Sequence, residues 1–113
     1  MTENFDLPIA FTWPSKAVPK NEKAFRKKFI KKFIAEHPRC WTYVPRDMLR
    51  IGVPDLLAVV QGHAVALEFK IQGNKPTPLQ IATIADLDAA GAWARFIIQG
   101  RDGIVRSLRY DEV

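Results

Sequence analysis

Gly52-Val53-Pro54-Asp55-Leu56-Leu57-Ala58-Val59-Val60-Gln61-Gly62-His63-Ala64-Val65-Ala66-Leu67-Glu68-Phe69-Lys70-Ile71 is the stretch that decides the fold of this 113-residue chain. Leu56 to Val60 is β-prone, Gln61-Gly62-His63 carries a turn signal, and Ala64 to Ile71 is β-prone again, so the segment reads as a hairpin. Directly opposed residues of an antiparallel pair point to the same face. A Gln61-Gly62 loop sets Val60 against His63 and Asp55 against Glu68. A Gly62-His63 loop, suited to a turn with glycine first, sets Asp55 against Lys70. Both registers place Asp55, Glu68 and Lys70 on one face. The other face carries Leu56, Ala58, Val60, Val65, Leu67, Phe69 and Ile71, an apolar set that belongs to the core.

Two neighbouring carboxylates raise one another's pKa unless a cation lies between them. Oxygen donors with few imidazole or thiolate alternatives favour a hard ion, Mg²⁺ or Mn²⁺, over zinc. Lys70, two residues beyond Glu68 on the same face, is placed to orient an attacking water or to neutralise charge on a phosphate.

With a proline-aspartate, then acid-any-lysine on the next strand, the chain resembles the PD-(D/E)xK nuclease superfamily. The closer likeness is to the VRR-NUC branch, which includes stand-alone phage-type proteins related to Holliday junction resolvases. It covers roughly residues 20 to 99, through Gly52, Pro54, Asp55, Glu68, Lys70 and Gln80. The resemblance implies a restriction-endonuclease-like α-β-β-β-α-β core and a helical glutamate before the first strand, for which Glu22 is the candidate. The valine-arginine-arginine signature that names the branch is not evident: the corresponding strand reads Phe96-Ile97-Ile98-Gln99, with Arg95 before it and Arg101 after it.

Each residue also has a plainer reading. Asp55 after proline suits a turn, and Glu68 with Lys70 suits an exposed cross-strand charge cluster. Thr77-Pro78-Leu79-Gln80 is a capping box with proline at the first helical position, so Gln80 is a cap, a site residue or both.

A first helix is expected from Asn21, a good N-cap, to about His37, where Pro38 stops it. Phe25, Phe29, Ile30, Phe33 and Ile34 form one face at helical spacing. Glu22 extends that face at its N-terminal end, either as a third metal ligand or as a first-turn acid favoured by the helix dipole. Lys23, Arg26, Lys27, Lys28, Lys31 and Lys32 occupy the remaining faces, a run that is a solvated surface or a phosphate-attracting one.

The net charge is +5, and it is unevenly spread. Residues 1 to 54 hold 11 Lys/Arg against 5 Asp/Glu, and residues 55 to 113 hold 6 against 7. Positive charge therefore sits beside the acidic pair, as suits a polyanion held by the first helix and cut at the hairpin. No segment approaches the roughly 18 apolar residues that span a bilayer, and no signal peptide is apparent. Cys40 is solitary, and neither His37 nor His63 lies at a zinc-site spacing.

One domain is expected over residues 20 to 113, preceded by an extended arm, residues 1 to 19. Pro8, Pro14 and Pro19 interrupt regular structure in the arm, and Phe5, Phe11 and Trp13 give it something to bury, on its own domain or on a neighbouring subunit. Cys40 to Val44 makes a first strand, and Arg46 to Arg50 leads to the hairpin. A second helix runs from Pro78 to about Ala90, ending at Gly91. Trp93 to Gln99 is a buried strand, and Ile104 to Tyr110 a final one. The pattern is an α/β fold with a mixed central sheet flanked by helices.

The function these readings point to is a divalent-metal-dependent, structure-selective DNA endonuclease, a resolvase of Holliday junctions or other branched DNA. Its catalytic set is Asp55, Glu68, Lys70 and Gln80. The metal ligands are Glu22, Asp55, Glu68 and the Phe69 carbonyl. Lys23, Arg26, Lys27, Lys31, Arg50 and Lys75 contact the nucleic acid. The resemblance implies a cytoplasmic protein of a bacterial or phage-infected cell, and symmetric cutting of a junction implies a homodimer. The alternative is a non-catalytic nucleic-acid-binding module that keeps the nuclease fold. A structural dimerisation protein, the third option, would tolerate Asp55→Asn.

Overall fold

The computed structural model describes residues 5–46 and 52–113. Arg50 and the rest of the lead into the hairpin, residues 47–51, lie outside the described residues. Along the chain come β1 (Ala10–Thr12), a single 3₁₀ turn, α1 (Glu22–Glu36), β2 (Trp41–Tyr43), β3 (Leu56–Val60), β4 (His63–Ile71), α2 (Pro78–Ala89), β5 (Trp93–Gln99) and β6 (Ile104–Leu108). The strands form one mixed sheet in the order β1-β6-β5-β4-β3-β2. The β4–β5 pair is parallel, with α2 as its crossover, and the other pairs are antiparallel.

The hairpin turns on Gln61-Gly62. Val60 pairs with His63 and Leu56 with Leu67, and both loop residues take positive φ, 52° and 81°, as a type I′ turn requires. Right-handed strand twist favours that turn, which settles the register left open by sequence.

A helix packs on each sheet face. On one, Phe25, Phe29 and Phe33 of α1 bury against Leu56, Ala58, Val60, Val65, Leu67 and Phe69. The Phe69 ring meets Phe25 and Phe29 edge-on, with centroids 5.6 and 5.1 Å away. Each such phenylalanine contributes about 1.5–3 kcal/mol of burial. Ile34, expected on this face, is exposed: the sheet contacts a narrow stripe at four-residue spacing. On the other face, α2 packs Ile84, with Ile81 and Leu87, over Ala66, Ala94 and Phe96. On the site side of the hairpin, Ala66 is thus core, Leu57 is half-buried and Val59 is exposed.

Residues 5–19 pack into this domain. Ala10–Thr12 extends the sheet beside β6, and Leu7 and Trp13 join the core under α1. Gln99, 2% exposed, anchors the segment: its Oε1 accepts from Trp13 Nε1 at 2.8 Å, and its Nε2 donates to the Pro19 carbonyl at 2.8 Å. Lys28 and Lys32 place their ammonium groups over the Trp13 and Phe11 rings. Among the described residues, no helix is long and apolar enough to cross a membrane.

Candidate active site

Asp55 stands just before β3, and Glu68 lies within β4. Asp55 Oδ2 accepts a 3.0 Å hydrogen bond from the Phe69 amide, so the carboxylate continues the hairpin where the ladder stops. That bond fixes its position beside Glu68, and Arg26 of α1 stands 3.9 Å from its other oxygen. Gly52 explains the motif's first residue. Its φ is 85°, and a Cβ there would meet Leu79 Cγ of α2 at 2.8 Å; only glycine fits both constraints.

Glu68 is 4% exposed, paired in register with the fully buried Phe96. Its pKa is pushed up to about 8, first by burial, then by the charge and hydrogen bonding of Asp55, with Glu22 adding a little and Lys70 pulling the other way. A carboxylate pair held this way is short of positive charge.

Gln80 serves two purposes at once. Its Oε1 accepts from the Thr77 amide while its backbone N–H donates to Thr77 Oγ1, closing the capping box. Its Nε2 donates to Glu68 Oε2 at 3.1 Å. The cap therefore locks the amide that orients the acid.

Glu22 sits in the first turn of α1, and its Oε2 accepts a 3.4 Å bond from Asn74. Among the described residues, no three His, Cys, Asp or Glu side chains converge closely enough to hold a metal. The expected third ligand therefore does not close a cage with Asp55 and Glu68. Mg²⁺ seldom needs one: it is commonly held by one or two carboxylates, with water and substrate phosphate completing its shell. The two adjacent carboxylates, Glu68 buried and its pKa raised, fit a hard cation on those terms.

Asp55 opens onto a cleft of about 650 Å³ lined by Lys23, Arg26, Lys27, Ile30, Val44, Pro45 and Arg46. Three of the expected phosphate contacts are brought together there. Lys31 and Lys75 are exposed elsewhere, and Arg50 lies outside the described residues. Arg46 and Asn74 were not singled out by sequence. The signal for Arg46 is the β2–β3 register, Tyr43 against Leu57, which carried two residues further sets Pro45 opposite Asp55.

A fold of two helices on a mixed sheet, with an acid pair at the end of its central hairpin, defines the class to which the chain is comparable. Among solved structures, it is similar to one described as a VRR_NUC domain, with a TM-score of 0.56 and 22% identity over 70% of this chain and 85% of that one. No family model and no curated protein matches the sequence. The chain has the α/β fold of a VRR_NUC domain.

Proposed function

We propose that the protein is a divalent-metal-dependent DNA endonuclease selective for branched structure. The observation that carries this reading is half-buried Asp55, which lines a basic cleft, paired with buried Glu68, on a fold shared with a VRR_NUC domain. Asp55 and Glu68, with the Phe69 carbonyl, would hold Mg²⁺ or Mn²⁺, water and substrate phosphate completing the shell. The ion supplies an activated water and charge stabilisation at the phosphate.

The chain's own groups do the rest. Gln80 holds Glu68 beside Asp55, and Lys70 offers its ammonium to the water or to charge developing on the phosphate. Lys23, Arg26, Lys27 and Arg46 hold flanking phosphates, contacts that position a nucleic acid without reading its sequence. Symmetric cutting of a junction needs two such sites, so a homodimer is part of the proposal.

The test is cleavage of a four-way junction, a flap and a linear duplex in Mg²⁺ or Mn²⁺, against EDTA and Asp55→Ala. Metal-dependent cutting that falls at least about a hundredfold in the variant, with branched substrates preferred, is the expected result. Binding without cutting on every substrate would instead assign a non-catalytic nucleic-acid-binding module.

A further inference from the structure

Trp41 and Tyr43 are the most exposed large hydrophobic residues among those described, at 60% and 51%. They occupy alternate positions of β2, paired with Val59 and Leu57 of β3. Opposed residues share a face, so both rings stand on the side of the sheet that carries Asp55 and Glu68. Their rings are nearly parallel, 16° apart with centroids 6.2 Å apart. The α2 helix covers β4 and β5 on this side, and Val59 beside the rings is also exposed. Tyr43, paired with Leu57, is the ring nearer the end of β3 that Asp55 precedes.

The chain itself joins the two features. Val44, Pro45 and Arg46 follow Tyr43 directly and line the cleft that holds Lys23, Arg26, Lys27 and Asp55. The cleft lies on the α1 face and the rings on the opposite one, so a strand whose phosphates sit in the cleft would round the end of the sheet at Asp55 to bring its next bases to the aromatic pair. Paired bases are hidden in the stack of a duplex; unpaired ones present a π-face to flat side chains.

We propose that Trp41 and Tyr43 are a stacking platform for unpaired bases, so that the nucleic acid recognised at this site has a single-stranded segment leaving the basic cleft beside Asp55. This rests on the nuclease reading for the direction of the strand, and it adds the feature by which a flap or opened junction is told from plain duplex. A row of cations alone would not make that distinction.

The test measures binding in EDTA, where nothing is cut, by the full chain, Trp41→Ala/Tyr43→Ala and Trp41→Phe/Tyr43→Phe. The probes are a flapped duplex with 2-aminopurine in its single strand and a linear duplex of equal length. The expected result is that the alanine pair weakens flap binding about tenfold or more, abolishes the 2-aminopurine change and leaves duplex binding alone. The phenylalanine pair retains most of the flap preference. Equal losses on both probes, or no loss on either, would overturn the platform. So would a sedimentation shift from dimer to monomer in the alanine pair, which would give this face to a second copy of the chain. A wild type that prefers flaps through these rings but never cuts in Mg²⁺ would refute the nuclease and leave the platform standing; cutting without any such preference would do the opposite.

Discussion

Glu68 is held in a protein interior that disfavours its charge, beside a second acid that disfavours it further. Its folded pKa of about 8 lies above the ordinary carboxylate range, so its contribution to stability is present below the unfolded pKa of about 4.3 and is lost as pH rises through about 8. Metal-free protein should therefore melt at progressively lower temperature between pH 5 and pH 8, and Glu68→Gln should flatten that slope. Mg²⁺ should raise the melting temperature more at pH 8 than at pH 5, since it binds the ionised pair. Equal stabilisation at both pH values would count against a cation at this pair. Gln80 offers a sharper probe, because cap and amide can be separated. Gln80→Glu keeps an oxygen for the Thr77 amide yet sets a carboxylate against Glu68 Oε2. Thermal melts should show near wild-type stability at pH 5 and a loss that grows toward pH 8, whereas Gln80→Ala should cost about 1 kcal/mol at either pH from the broken cap.

At the scale of elements, α1 has two basic sides with different occupations. Lys23, Arg26 and Lys27 face the cleft, while Lys28 donates to the Ala17 carbonyl and Lys32 pairs with Glu36. Lys23→Ala/Lys27→Ala should lower the slope of log affinity against log salt by about 2 on duplex DNA. Lys28→Ala/Lys32→Ala should leave that slope near wild type. Titrations at four or five salt concentrations check both, and equal slope changes would mean that the whole helix faces the polyanion. The helix was legible in sequence because Asn21, Pro38 and the phenylalanine spacing agree, and the hairpin because a period of two leaves few registers. The division of its lysines was not legible, since it depends on where residues 5–19 return. Nor was β1: three residues between prolines form a strand only because β6 offers an open edge. The site shows the same limit. Asp55, Glu68 and Lys70 follow from spacing along two adjacent strands, while Arg46 and the platform residues need the position of β2, fixed by pairing across a segment with no local signal.

Gln99 shows how the whole molecule depends on contacts distant in sequence. It reaches Trp13 and Pro19 across 86 and 80 residues, and it has no solvent to replace either partner. Gln99→Leu would keep the volume and strand while stranding the Trp13 indole N–H and the Pro19 carbonyl, each at about 1–3 kcal/mol. Urea unfolding followed by far-UV circular dichroism should show a lower midpoint with an unchanged slope. Removal of residues 1–19 goes further, because it strips β1 from the sheet and Leu7 and Trp13 from the core against Phe25, Phe29 and Phe33. Emptied core positions of that size cost about 2–5 kcal/mol each, which approaches the 5–15 kcal/mol that holds a typical domain together. The shortened chain should lose its cooperative transition, or show a midpoint near zero denaturant. A sharp transition within about 1 kcal/mol of wild type would make the segment a covering that the domain can do without. Loss of cooperativity would place it in the folding unit, and the cleft would then depend on it too, because the helix that lines that cleft packs on Phe11 and Trp13 through Phe29 and Lys28.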